Sequence, residues 1–382
     1  MGRKRQGFCF AVCAAVLALA APLGAGAVPP LKGKLDSSFG NGGGTVVPLG
    51  PSFANSSFQE MVRQPDGGIV LAGSTEVVKG KYNEPSGFVQ RRGPAGELDT
   101  GFGGGFVPVP GVGGLALQGD GRVLVGAPEH SGCLTLSTVR RLEPNGAPDP
   151  SFGKDGTSAR IPLASSHLAV DAQGRVVVLG VGALGPCQRV GTPPFGLMLA
   201  RLLPNGALDP SFGQDGVVRA AEAGETLGGG AGGLVIREDG SILIAGYGGL
   251  RAFTPTGALD TGFGAGGVVK AGGLPGALLG LPGGKVVLAS STAASFCCGS
   301  SSDLVVSRYL ANGSPDPEFG GDGSVDLDIG KIDTPTALAA GPEGSILLGG
   351  EAASGDCPSP ECGATPVLVR FAATGALDPG FG

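Results

Sequence analysis

The chain has no tryptophan, two histidines and three tyrosines among its 382 residues. So little histidine counts against most imidazole-based catalysis, and the lack of Trp and Tyr weakens any platform for stacking sugars. No Gly-x-Ser-x-Gly nucleophile elbow and no Gly-Lys-Ser/Thr phosphate loop is present. Charged residues make up only 15 % of the chain. What the chain has in excess is 76 glycines and 31 prolines, together 107 residues or about 28 %. Without a period, that excess would mark a disordered polymer. With 41 % hydrophobic residues there is material for a core, so the search is for a repeat.

Residues 1–27 read as a secretory signal peptide. Arg3, Lys4 and Arg5 form a basic start, residues 8–21 an apolar stretch, and Ala25-Gly26-Ala27 a small-x-small cleavage site before Val28. A membrane anchor is the rival reading. Pro22 and Gly24 break the run below the ~20 residues a spanning helix needs, and no later run replaces it. A short linker, 28–34, follows. The mature chain keeps 23 Lys+Arg against 32 Asp+Glu, a net charge near −9. An acidic surface without a basic cluster disfavours nucleic acid and anionic lipid as partners.

The motif Asp-x-x-Phe-Gly occurs seven times, at Asp36–Phe39, Asp99–Phe102, Asp149–Phe152, Asp209–Phe212, Asp260–Phe263, Asp316–Phe319 and Asp378–Phe381. The steps are 63, 50, 60, 51, 56 and 62 residues, which defines six units at about 40–102, 103–152, 153–212, 213–263, 264–319 and 320–382. Within each unit a short apolar run follows Phe-Gly. A second run leads to a turn closed by Gly67, Gly121, Gly174, Gly240, Gly284 or Gly344, followed at once by GIVLAG, RVLVGA, RVVVLG, SILIAG, KVVLAS or SILLGG. Such β-rich, nearly continuous apolarity means burial on both sides of a strand. A fourth run carries Arg91, Arg141, Arg201, Arg308 or Arg370, with Arg251 one place early in unit four. No segment holds a helical period with caps. Four short strands per unit, buried between neighbours, predict an all-β propeller of six four-stranded blades over residues 35–382. The N-terminal run 44–47 is placed to complete the blade built from 336–375 and so close the ring. A linear solenoid-like array and a seven-bladed ring are the alternatives.

These residues resemble the bacterial delta-60 repeat family. Its unit joins an Asp-Gly turn and hydrophobic strand, as in QPDGGIVLAG (64–73), to an Arg-bearing strand and Leu-Asp-x-x-Phe-Gly, as in RLLPNGALDPSFG (201–213). The resemblance spans about 35–382. It departs where Pro replaces Leu before Asp149 and Asp316, and where Asp-Gly becomes Gln173-Gly174, Gly283-Gly284 or Glu343-Gly344. It implies an exported or surface protein of propeller-like fold and brings no catalytic residues.

Of eight cysteines, Cys9 and Cys13 lie in the signal peptide. Counted from the turn glycine, Cys133 stands at +12, Cys187, Cys297 and Cys357 at +13, Cys298 at +14 and Cys362 at +18. All six therefore share one connecting loop, in units two, three, five and six. Export and an even count favour disulfides. The expected pairs are Cys133–Cys187, with Cys297 or Cys298 joined to Cys357 or Cys362; Cys297–Cys298 and Cys357–Cys362 stay open. Zinc is the rival, without interleaved histidine.

The repeated Asp and Phe are expected to be structural, Asp accepting turn hydrogen bonds and Phe plugging the gap between blades. The repeated arginines are expected to cover blade edges or pair with acids. His130 and His167 belong to no catalytic pattern. The acidic run 322–328 has oxygen ligands suited to Ca²⁺ but not the complete loop pattern. No cofactor is expected, with Ca²⁺ the one open candidate. The expectation is a monomeric, exported, non-enzymatic binding or structural module acting on an extracellular protein or polymer. The alternative is a metal-dependent lactonase- or esterase-like hydrolase using the central channel.

Overall fold

A computed structural model of the chain describes residues 36–41, 44–45, 53–79, 82–131, 134–185, 194–220, 231–292, 301–353 and 364–381. Six antiparallel sheets follow one another along the chain. Blade 1 holds β1 (Phe53–Arg63), β2 (Ile69–Lys79), β3 (Tyr82–Arg92) and β4 (Val107–Val109). Blade 2 holds β5 (Leu115–Leu117), β6 (Val123–Ser131) and β7 (Leu134–Leu142), its fourth place taken by single bridges from Ser137 to Ile161 and Arg140 to Thr157. Blade 3 comprises β8 (Ala164–Val170), β9 (Val176–Ala183), β10 (Phe195–Leu202) and β11 (Val217–Arg219). Blade 4 comprises β12 (Gly233–Ile236), β13 (Ile242–Gly246), β14 (Gly249–Phe253) and β15 (Val268–Lys270). Blade 5 comprises β16 (Leu274–Gly280), β17 (Val286–Ser291), β18 (Leu304–Tyr309) and β19 (Ser324–Leu327). Blade 6 has β20 (Ile332–Ala340), β21 (Ile346–Ala353) and β22 (Ala364–Phe371). Among the described residues the helical turns are three-residue 3₁₀ segments, and no helix is long and apolar enough to cross a membrane.

The first strands touch in sequence, β1 with β5, β5 with β8, β8 with β12, β12 with β16 and β16 with β20, which sets them around a common axis. The chain is a six-bladed β-propeller, and the seven-bladed and linear alternatives fall away. The apolar runs after the turn glycines become the second strands. All of β13 and β17 is buried, because the core lies between blades. One such cluster joins Val177, Leu179, Leu197, Leu199 and Phe212 of unit three to Ile242, Ile244 and Phe253 of blade 4. One feature of the unit is corrected. The Arg-bearing run, fourth when counted from the motif, is the third strand of its blade. The short run after Phe-Gly pairs back onto it, as in Ala200 with Val217 and Leu199 with Val218. Of the expected closing strand, Gly44 and Thr45 are described, Gly44 bridging to Gly40; residues 46 and 47 lie outside the described residues.

Candidate functional site

The repeated residues meet at the joints between blades. Arg201 on β10 donates from Nε to Asp209 Oδ2 at 2.7 Å, while Asp209 Oδ1 accepts the Ser211 N–H at 3.0 Å and its hydroxyl at 2.6 Å. The guanidinium lies 4.5 Å from the Phe212 ring centre and donates to the Pro255 carbonyl of blade 4. Gly213 N–H then donates to Thr256 O at 2.9 Å. Phe212 is fully buried beside the Gly257 turn of the next blade. The same pattern recurs for Arg91, Asp99 and Phe102 against Pro144; for Arg141, Asp149 and Phe152 against Pro204; and for Arg308, Asp316 and Phe319 against Ala373. Burial pushes the Asp149 and Asp209 carboxyls up. The serine two residues on and the paired arginine outweigh it, so both stay well below the usual carboxylate range.

Joint four is built differently. Ala252 stands where the other units have arginine, and its carbonyl accepts the Asp260 N–H as Arg201's accepts that of Asp209. Arg251 is buried one place earlier on β14. The guanidinium over Phe263, 5.0 Å from the ring centre, belongs to Arg237, which enters from the turn between β12 and β13. Sequence inspection missed this replacement; the absent arginine at 252 was its one available signal.

The two ends of the blades differ. The connections from first to second strand are five residues long in all six blades (64–68, 118–122, 171–175, 237–241, 281–285, 341–345). At the opposite end the connections from second to third strand have two residues in blades 1, 2 and 4. They lengthen to eleven in blade 3 (184–194), twelve in blade 5 (292–303) and ten in blade 6 (354–363). The six cysteines belong by position to these second-to-third-strand connections, and Cys133, Cys187, Cys297, Cys298, Cys357 and Cys362 all lie outside the described residues.

At that variable end the carboxylates of Asp303, Asp328 and Asp333 bring one oxygen each within 4.8 Å of one another. Asp303 precedes β18, Asp328 follows β19 and Asp333 opens β20. Asp333 is fully buried; its carboxylate accepts the N–H of Ile329 at 2.8 Å and of Gly330 at 3.0 Å. Burial raises its pKa, and the two neighbouring carboxylates add to the rise against these hydrogen bonds. Within the acidic run 322–328, Asp322 instead holds its own turn, accepting the Ser324 N–H at 3.0 Å.

Around the axis, first strands carry bulges at matching places, between Phe58 and Glu60, Ser165 and His167, Pro275 and Ala277, and Pro335 and Ala337. The residues opposite the fourth position of each second strand are Glu60, Gly114, His167, Gly233, Ala277 and Ala337. Only Glu60 and His167 bring polar side chains to this ring. Glu60 Oε2 accepts the Leu115 N–H of blade 2, and desolvation pushes its carboxyl up to about 7. Desolvation pushes His167 down to about 4, and its Nδ1 lies 3.2 Å from Ser166 Oγ. His130 lies on β6 and outside this ring position.

Fold and joints together define a β-propeller repeat protein. Residues 118–152, 197–212 and 281–319 match the model of a domain of unknown function (DUF5122) beta-propeller, which supports membership of a β-propeller repeat family. No curated protein matches the chain. Similar solved structures include a glucose dehydrogenase, 13 % identical, covering 83 % of this chain and 99 % of that one at a TM-score of 0.44. A gluconolactonase from Xanthomonas campestris is 15 % identical over 76 % of this chain and 88 % of its own, TM-score 0.39. The β-propeller domain of the Trilobed protease from Pyrococcus furiosus is 7 % identical, covering 85 % and 82 %, TM-score 0.46.

Proposed function

We propose that this chain is an exported or surface-displayed propeller of the delta-60 repeat type that serves as a binding or structural module for an extracellular protein or polymer. The observation that carries the reading is the contrast between its two ends. One end repeats a five-residue turn six times, while the other varies from two to twelve residues in its second-to-third-strand connections. Rigid scaffolds that present variable loops from one face do so to bind. The recurring Asp, Arg and Phe support it too, since at the joints they engage one another and the next blade. The signal peptide places the molecule where cysteines oxidise. Cys133–Cys187 and a bridge from Cys297 or Cys298 to Cys357 or Cys362 then staple neighbouring variable loops.

The second reading, a metal-dependent hydrolase of the lactonase or esterase kind, is favoured by the Asp303–Asp328–Asp333 oxygens and by Glu60 and His167 on the axis-facing strands. The deciding experiment is thermal unfolding of the oxidised mature protein in millimolar Ca²⁺ against EDTA, with a screen for lactone and ester hydrolysis. A site saturated about 100-fold above its Kd adds ~2.7 kcal/mol. The module reading expects no turnover in either buffer. EDTA-sensitive, saturable hydrolysis that is lost in Asp333→Asn or Glu60→Gln overturns it.

A further inference from the structure

Six turns receive a Phe-Gly motif, those at Gly96, Gly146, Gly206, Gly257, Gly313 and Gly375, but the chain carries seven motifs. Five joints are complete. In each the phenylalanine is at most 1 % exposed and the following glycine N–H bonds the next turn. At the sixth joint, between blades 6 and 1, the two halves hold different motifs. On the blade 1 side, Gly40 N–H donates to Ala95 O at 2.6 Å. A Cβ on Gly96 would lie 3.1 Å from the Phe39 ring. Gly40 has φ 58°, matching 57–58° at Gly103, Gly153, Gly213 and Gly264. Asn41 N–H donates to Gly44 O at 2.7 Å as Gln214 donates to Val217 at 2.9 Å. Residues 36–41 and 44–45 thus have the shape of a seated motif leading into a fourth strand. On the blade 6 side, Arg370 already holds Asp378 at 2.6 Å and lies 4.7 Å from the Phe381 ring centre.

Each half lacks what the other has. Asp36 accepts from the Ser38 N–H and hydroxyl, with no arginine at its carboxylate among the described residues. Phe39 and Phe381 are both half-buried, unlike the five enclosed phenylalanines. A complete joint has room for one phenylalanine between one arginine and one turn glycine. We infer that Arg370 and the Gly96 turn form a single seat contested by the first and seventh motifs. With Asp36 and Phe39 in the seat the N-terminal segment crosses the seam between blades 6 and 1; with Asp378 and Phe381 in it, blade 6's own motif plugs the seam as Asp209 and Phe212 plug the joint between blades 3 and 4. The propeller therefore carries a built-in two-state seam.

The test is a double-mutant cycle on the full chain, read by thermal midpoint, with Phe39→Ala, Phe381→Ala, both together, and Phe212→Ala as a joint with a single motif. The contested seat expects each single variant to lower the midpoint by less than half as much as Phe212→Ala, because the other motif takes over. It expects the double variant to fall by more than the sum of the singles. Strictly additive losses, or a full Phe212-sized loss from either single variant, overturn it. Should Phe212→Ala fail to fold, hydrogen exchange at the Gly40 amide decides. Asp378→Ala combined with Phe381→Ala removes both of the seventh motif's holds on Arg370 and frees it for Asp36, so exchange slows on the order of tenfold; an unchanged or faster rate overturns the proposal.

Discussion

Arg201→Ala is the sharpest probe of the joints. The Arg201 and Asp209 side chains are 3 % and 4 % exposed, so removing the cation leaves a carboxylate away from water with the Ser211 N–H and hydroxyl and the more distant Arg175 Nη1 at 3.9 Å beside it. Breaking a buried pair in this way costs about 3–5 kcal/mol. Loss of the guanidinium over Phe212 and of its bond to Pro255 acts in the same direction. The equivalent Arg91 and Asp99 are 20 % and 32 % exposed, so water screens and partly replaces that pair, whose Coulombic share is about 0.2–1 kcal/mol. Urea unfolding at pH 7 should therefore rank Arg201→Ala well below Arg91→Ala, by about 2 kcal/mol or more. Arg201→Met with Asp209→Asn keeps an acceptor for the Ser211 N–H and removes the charge, so it should recover more than half the loss. The pH dependence has a fixed sign. In the native protein Asp209 has a depressed pKa, so its contribution is present above the ordinary carboxylate pKa and is lost as pH falls through the lower folded value. In Arg201→Ala that pKa rises, so acid favours the variant and the gap to wild type narrows below about pH 5. Equal losses from Arg201→Ala and Arg91→Ala, or a charge-free double variant as damaged as the single, would refute the reasoning.

Joint four predicts a rescue: Arg237→Ala uncovers Phe263 and lowers the unfolding midpoint, and adding Ala252→Arg restores it by rebuilding the arrangement of the other units. Glu60→Gln should raise stability at pH 8 by about 1–3 kcal/mol. A carboxyl raised to about 7 destabilises the fold as pH rises from the unfolded value near 4.5, and glutamine removes that slope while still accepting from Leu115. His167 has the opposite slope, since a pKa near 4 means stability falls as pH drops below about 6.5. Wild type should thus be nearly flat between pH 4.5 and 6.5, whereas Glu60→Gln loses stability on acidification across that window. Gly248→Ala, at φ 86° with open space around the Cβ, should cost about 1–2 kcal/mol for the backbone alone. Gly206→Ala, at φ 84° with its Cβ 3.0 Å from Gly153 N and 3.3 Å from the Phe152 ring, should cost clearly more by the same urea assay.

What the sequence shows of this molecule follows from which interactions repeat. Asp-x-x-Phe-Gly, the turn glycines and the apolar runs recur because every joint demands the same plug and every blade the same buried second strand. Six blades are therefore readable from spacing alone. That spacing also ties the cysteines to a single type of connection. Groups that occur once leave no such trace. Asp303 and Asp328 come from two connections and Asp333 from the start of β20, and only folding brings their oxygens within 4.8 Å. Glu60 and His167 share a ring position because bulges shift the strand register, and bulges have no residue signature here. At joint four the sequence shows that arginine is missing at Ala252 but not that Arg237 takes its place over Phe263, since the substitute comes from the turn after another strand.

The same logic separates architecture from function in this chain. The buried Phe plugs of the five complete joints and the five-residue turns of all six blades repeat closely, and a uniform surface discriminates nothing. If the chain is the binding module proposed above, recognition falls to what differs between blades: the long connections of blades 3, 5 and 6, the acidic cluster beside β18 and β20, and the two polar side chains at the axis. Grafting the two-residue connection of blade 4 (247–248) onto blade 3, in place of 184–194, separates the two roles. Measured against a Cys133→Ser/Cys187→Ser reference that already lacks the bridge the graft removes, joint three, with Arg201 and Phe212 at the other end of the strands, should keep its stability to within about 1 kcal/mol, while any recognition carried by that connection is lost. A graft that unfolds the blade would show instead that the variable end is part of the scaffold, and the division drawn between the two ends would fail.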